Sequence, residues 1–387
     1  GGKFMKRNLK LMYIISFLQG LVFYAPISLL YRIERGVSIS QFFILEFILL
    51  FVVVITEIPW GYFADKYGYK KTLIISYLLF FLGRASLLFC NEFLGFLCQT
   101  ILTALGISGS SGCDIAFLYN FCNQNESEKI FGRYNAFNSL AVFISAITSY
   151  FFISISMEVA VFMTTISYGI SVILICFASD VKIEKSNHKK SLIIKDSFKD
   201  FSNVKWILVF VISIAIISEI SYGISINLGQ IHFEGFNIKY LGYISAFSEI
   251  LGILSCKTYI LSEKFGQNKT LKFMLNIMLI CVAILIFTRN IFISIIAICL
   301  LSGLISIVST IALDIKNKSI IKNRATILSI YSMLGSIISA FINIIIGFYA
   351  DIYLKYAFIA CFFIISIGIG GIYIYFRKSI NCGKNIQ

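Results

Sequence analysis

Long apolar runs alternate with short polar breaks along nearly the whole chain. The runs are continuous and do not alternate residue by residue, which excludes a closed β-barrel. A bilayer core takes about 20 apolar residues per helix. On that measure the pattern predicts twelve spans, at roughly 9–31, 39–62, 72–90, 93–117, 132–154, 158–178, 205–231, 238–260, 271–288, 291–313, 325–349 and 354–376. The one long polar interruption falls between the sixth and seventh. The expected organisation is therefore an all-α membrane protein: a six-helix bundle over 5–178, a cytoplasmic linker over 179–204, and a second six-helix bundle over 205–378. The linker carries Lys182, Lys185, Lys189, Lys190, Lys195 and Lys199, and is expected to form a short amphipathic helix on the membrane surface. The basic start, Lys6-Arg7, resembles that of a signal peptide, but the run after it is too long and lacks a small-residue cleavage site, so it reads as the first retained span.

Composition agrees with a lipid solvent. Apolar residues make up 58% of the 387 and charged residues only 13%, against about a quarter charged in a soluble domain. The net charge of +14 raises the question of nucleic acid, but the basic residues sit in short loops at the ends of apolar runs. They read as topology signals and contacts to anionic lipid. With the N-terminus inside, about 26 of the 33 Lys and Arg fall on the cytoplasmic side. Arg32, Arg35, Lys239, Arg289 and Lys355 fall outside, and Arg84 and Lys257 lie within spans. Both termini are thus expected in the cytoplasm. The ten cysteines form no CxxC, and six of them (Cys90, Cys98, Cys176, Cys281, Cys299, Cys361) lie in apolar runs, where cysteine acts as a small hydrophobe. His188 and His232 are the only histidines. No metal, cofactor or enzymatic role is expected, and the lack of a phosphate-binding loop argues against ATP-driven transport.

One polar segment recurs. Gly61-Tyr-Phe-Ala64-Asp65-Lys66-Tyr-Gly68-Tyr-Lys70-Lys71-Thr-Leu73 follows the second run, and Ser262-Glu263-Lys264-Phe-Gly266-Gln-Asn-Lys269-Thr-Leu271 lies 198 residues later, also between two runs. The acid, the glycine and the lysines keep their spacing. Half-repeats of this kind are a common plan in secondary transporters. A carboxylate at Asp65 can cap the positive N-terminus of a neighbouring helix when the cytoplasmic side is shut. Gly61 and Gly68 allow close packing and a sharp turn.

These residues resemble the signature loop of the major facilitator superfamily, G-x-x-x-D-x-x-G-[RK]-[RK], here Gly61, Asp65, Gly68, Lys70 and Lys71, with Tyr69 where many members place the first basic residue. Glu57-Ile-Pro59-Trp-Gly61 is similar to the E-[IV]-P-x-G run of one bacterial branch. Ser108-Gly109-Ser-Ser-Gly112-Cys-Asp114-Ile-Ala116-Phe-Leu-Tyr119 resembles the end of that branch's fourth span, and Arg324-Ala-Thr-Ile-Leu-Ser329 its entry to the eleventh. The resemblance implies two pseudo-symmetric six-helix bundles around a midplane cavity, alternating access by rocking, and residence in a bacterial cytoplasmic membrane. Two departures stand out. Leu102 occupies the fourth-span position where many proton-driven members carry arginine, and Asn135 to Phe152 holds neither the Gly nor the Pro of many antiporters.

Ionisable residues inside spans are functional candidates by default, because each costs several kcal/mol unless paired or hydrated. Glu46 and Arg84 sit at similar depth on neighbouring spans and are expected to pair, either as a brace or for coupling or binding of an anionic solute. Glu57 and Asp114 are expected to join Asp65, Arg133 and Lys70 in a cytoplasmic gate, with Lys71, Glu263 and Arg324 part of the same closing machinery; proton transfer is the alternative for Glu57 and Asp114. Asp314 reads as interfacial, with Lys316 and Lys318, and Lys257 as snorkelling. Glu219 and Glu249, near the middle of spans seven and eight, are candidates for proton coupling or substrate contact, with a buried hydrogen bond as the plain alternative. Gln19, Tyr24, Asn135, Asn138, Tyr168, Tyr222, Asn227 and Tyr331 together are candidates to line an amphipathic cavity; each alone reads first as an interhelical hydrogen bond rather than a ligand contact. Only Pro26 and Pro59 are able to break a helix, so glycines are the better hinge candidates.

The expected function is secondary active transport of a small organic solute by a monomer in the lipid bilayer, driven by protons and directed outward. A proton-coupled importer, and a receptor or scaffold on the same fold, are the competing readings. No nucleic-acid partner is expected.

Overall fold

Apolar runs of this length satisfy their backbone in lipid by closing every hydrogen bond within the segment, and most of the described chain is helical. The structure is a computed structural model and describes residues 2–121, 127–179, 205–233, 237–253, 258–288, 290–318 and 324–384. Linker residues 180–204, Lys257 and Arg289 lie outside the described residues, as do the side chains of Lys318 and Arg324.

The helices run α1 (Gly2–Gly20), α2 (Ser28–Ile33), α3 (Ile39–Tyr67), α4 (Tyr69–Ser86), α5 (Glu92–Ser110), α6 (Cys113–Tyr119), α7 (Ser127–Ile155) and α8 (Met157–Cys176). They continue with α9 (Lys205–Tyr222), α10 (Gly229–His232), α11 (Leu241–Ile253), α12 (Thr258–Phe265), α13 (Gln267–Phe287), α14 (Ile291–Lys318), α15 (Arg324–Ile352) and α16 (Leu354–Lys384). Ten segments among the described residues are long and apolar enough to cross a membrane. The expected third and eighth spans are the remaining two. The third is the 18-residue α4, and the eighth is described as α11 and α12. Pro59 lies inside α3 without ending it.

The contacts divide the chain into two compact units, one of residues 1–186 with 235–246 and one of 187–234 with 247–387. In the first, α4 packs along α5 and α8, α3 along α5, and α1 along α7 and α8. Small residues set the closest approaches: a Cβ on Gly106 would meet the Phe80 amide nitrogen and the Ser76 carbonyl, each at 3.1 Å. Residues 235–246 join this unit through Gly242, which seats against the Ala146 carbonyl and Ser149 on α7. In the second unit α9 packs along α16 and α15, and α13 along α14 and α16.

Candidate functional site

The first span is not one helix. It stops at Gly20, passes through the non-helical residues 21–24 and a 3₁₀ turn at Ala25–Ile27, and resumes as α2. Pro26 explains part of this, since proline withholds an N–H and restricts the residue before it. Backbone groups freed inside a membrane need partners, and side chains from α7 and α8 supply them. Asn138 Nδ2 donates to the Ser16 carbonyl (3.0 Å), Tyr168 Oη to the Gln19 carbonyl (2.9 Å) and Ser167 Oγ to the Leu21 carbonyl (3.2 Å). Thr164 Oγ1 accepts from the Phe23 N–H at 3.0 Å. The break is thus built into the sequence of two other helices. Asn138 and Tyr168 act here as the interhelical bonds that formed their plainer reading.

Arg84 reaches this break from α4. Its Nη1 donates to Tyr24 Oη, and its guanidinium carbon stands 5.4 Å from the Tyr24 ring centroid and 5.2 Å from that of Tyr168. Phe80 lies against Tyr168 at 5.7 Å. Among the described residues, Arg84 Nε and Gln19 Nε2 are buried with no hydrogen-bond partner, as is the Tyr77 hydroxyl on the same face of α4. Two aromatic faces return about 0.5–2 kcal/mol each to a guanidinium, whereas a charge at membrane depth costs several kcal/mol.

The expected Glu46–Arg84 pair is not what forms. Glu46 lies 3.7 Å from Arg32, and Arg84 is the second cation within its electrostatic reach. Sequence alone puts Arg32 among the exterior loop charges, yet only 6% of it is exposed. Its Nη2 donates to Gln99 Oε1 at 3.1 Å, and Gln99 Nε2 passes the chain on to Thr103 Oγ1 at 2.8 Å. Phe42 and Phe96 flank the guanidinium at 5.0 and 5.8 Å. The missed cue was length: α2 adds about 1.5 Å per residue past the break, so Arg32 still faces the bundle.

The two copies of the repeated loop adopt one geometry. Gly68 holds φ +101° and Gly266 φ +84°, a range that favours glycine alone. The Gly68 N–H donates to the Ala64 carbonyl (2.9 Å), and the Gly266 N–H to the Ser262 carbonyl (3.0 Å). Thr72 Oγ1 donates to the Gly68 carbonyl (2.9 Å), and Thr270 Oγ1 to the Gly266 carbonyl (3.1 Å). Every member of each set is 198 positions from its counterpart.

The acidic network differs from expectation. Asp114 accepts from Tyr134 Oη at 3.0 Å and from the Ile115 N–H at 2.7 Å, not from Arg133, which is exposed. Asp65, Lys71 and Glu263 are exposed, while Glu57 and Lys70 are half-buried. Gly68 makes the expected sharp turn, but no atom lies within 4 Å of where a Cβ on Gly61 would stand, so Gly61 mediates no close packing here. Asp314 accepts from Gln267 Nε2 at 2.6 Å.

In the second unit Glu219 accepts from Asn343 Nδ2 at 2.8 Å. The plain reading expects a buried hydrogen bond to Ser or Tyr; the bond found is part-buried and its donor is asparagine. One turn on, the helix loosens into a π stretch, Gly223–Leu228, a feature frequent at functional sites. The 198-residue offset maps this stretch onto 25–30, the 3₁₀ turn and the start of α2 just past the break, and carries Ser145, whose Oγ lies 3.4 Å from the Gly20 carbonyl, onto Asn343. Asn227 and Tyr331 are buried, while Glu249, Tyr222 and, in the first unit, Asn135 are exposed. Asn343 is absent from the sequence-based candidates, although a buried asparagine in an apolar run is itself a signal.

Comparison with known proteins agrees with this geometry. The sequence model of the Major Facilitator Superfamily matches residues 11–342. The MFS-type transporter YxaM of Bacillus subtilis (strain 168) is 24% identical over 269 residues, 66% of this chain and 67% of that protein. Among solved structures, the nucleoside transporter NupG superposes with a TM-score of 0.79 at 12% identity, covering 95% of this chain and 99% of its own. The D-xylose-proton symporter does so with a TM-score of 0.74 at 10% identity, covering 96% and 97%. These likenesses below 25% identity concern the fold, and the sequence match over most of the chain settles the family: the chain belongs to the major facilitator superfamily of transporters.

Proposed function

We propose that the protein is a proton-coupled exporter of a small organic solute, working as a monomer by alternating access in a bacterial cytoplasmic membrane, with both termini inside. Residues 5–178 and 205–378 are the two moving bundles, and 179–204 the linker. The observation that carries this reading is the matched irregularity of spans one and seven. Each unit loosens its first helix in the same region, at 21–27 in one and at 223–228, the counterpart of 25–30, in the other, and Ser145 and Asn343, 198 positions apart, reach that helix at Gly20 (3.4 Å) and Glu219 (2.8 Å). Transporters commonly place solute and ion sites at such interruptions.

Glu219 is the favoured proton carrier. It lies one turn from the π stretch, and its bond to Asn343 gives the carboxylate a partner that a proton would displace. Glu249 is the second candidate. Asp65, Gly68, Lys70 and Lys71, with Glu57, Asp114, Arg133, Glu263 and Arg324, form the cytoplasmic closing machinery. The test is solute counterflow in proteoliposomes with the pH gradient set in each direction. Export predicts accumulation against the proton gradient in one orientation only, and the opposite sign would favour the importer. Glu219→Gln is expected to abolish the pH dependence while exchange persists. Unchanged pH dependence in both Glu219→Gln and Glu249→Gln would remove coupling from these residues.

A further inference from the structure

We propose that the first unit holds an anion-recognition site at Arg84, and that the solute carries a carboxylate which docks there. The inference rests on the transporter reading and names a substrate class for it. Three observations converge. Arg32, Glu46 and Arg84 are neighbouring charges of the first unit, and their sum is one excess positive charge. Glu46 is engaged by Arg32 at 3.7 Å, so the excess resides on Arg84, whose bonded partner is the neutral hydroxyl of Tyr24. Among the described residues two buried donors, Arg84 Nε and Gln19 Nε2, are left without an acceptor, beside the Tyr77 hydroxyl, which can donate or accept. They belong to one neighbourhood, because Tyr168 bonds the Gln19 carbonyl while its ring lies 5.2 Å from the Arg84 guanidinium carbon. A place rich in donors, poor in acceptors and positive in sum calls for an acceptor-rich, negative ligand.

The walls refine the class. Tyr24, Tyr168 and Phe80 present aromatic faces, which suit a flat apolar body behind the carboxylate. The adjoining backbone at 21–24 is non-helical, the kind of segment transporters place against a ligand.

The test uses the full chain in detergent free of anionic lipid and three probes of one shape: benzoate, benzamide and benzylamine. Benzoate is expected to bind wild type at least tenfold more tightly than benzamide, with benzylamine weakest. Arg84→Gln is expected to weaken benzoate at least tenfold while leaving benzamide unchanged, and Arg84→Lys to fall between, since it keeps the charge and loses the fork. Should Arg84→Gln not fold, the ranking of probes on wild type decides. Equal binding of the three, no binding of benzoate, or an unchanged benzoate affinity in a folded Arg84→Gln overturns the site. The same preparation in proteoliposomes separates the two readings. Anion-selective binding without flux of any solute defeats the transporter reading and keeps the site, whereas flux without preference for the anion does the reverse.

Discussion

Gly266→Ala isolates the contribution of the repeated turn. Gly266 holds φ +84° and ψ 136°, close to a region that essentially only glycine populates. No atom lies within 4 Å of where its Cβ would sit. An alanine there meets no neighbour, so its whole cost is backbone strain, about 1–3 kcal/mol. At 1.4 kcal/mol per factor of ten, a cost of about 2 kcal/mol is a roughly 30-fold loss in the population holding the turn. Gly132 is the matched control. It lies in the interior of α7, also with nothing within 4 Å, and outside the positive-φ range. Alanine there gains about 0.5–1 kcal/mol from helix propensity. One methyl group, added twice, should therefore act with opposite signs. Scanning fluorimetry of the full chain in a single detergent reads the outcome: a midpoint below wild type for Gly266→Ala, by a few degrees on the scale of about 2–4 °C per kcal/mol, and at or above wild type for Gly132→Ala. Equal midpoints for Gly266→Ala and wild type would refute the strain argument.

Other substitutions probe the ends of the first unit. Arg32→Gln leaves the Glu46 carboxylate without its cation and should cost about 3–5 kcal/mol; Arg32→Gln with Glu46→Gln should recover much of this, read as a thermal midpoint nearer wild type than that of the single variant. Asp65→Asn should cut flux at least tenfold in proteoliposomes while yield and monodispersity stay normal, and wild-type flux would remove Asp65 from gating.

The architecture was legible because lipid imposes a simple rule: apolar runs of about 20 residues are spans. The repeated turn was legible too, since Gly68 and Gly266 are needed wherever φ is positive. Partnerships across spans were not. Glu46 and Arg84 match in depth, but depth along a helix says nothing about azimuth, and it is Arg32, past the break at 21–24, that takes the carboxylate. Pro26 marked a candidate break near Gly20–Tyr24, but not what would hold it, for a related reason. The groups that make it affordable, Thr164, Ser167 and Tyr168, are more than a hundred residues away and look like ordinary polar residues of a lipid-facing run. Asp114 illustrates the same limit, because the tyrosine next to Arg133 took the bond expected of the arginine.

The interrupted first span has a mechanical consequence. A rod with a joint need not move as a rod. The stub, α2, is tethered to its neighbours through Tyr31 Oη to the Leu87 carbonyl at 2.9 Å and Arg32 to Gln99, while the stem, α1, is fastened to α7 through Asn138 and through the Tyr134 carbonyl, which accepts from Ser16 Oγ at 2.9 Å. Torque applied to α2 can therefore swivel the stub and spare the stem, by local twisting at residues 21–24.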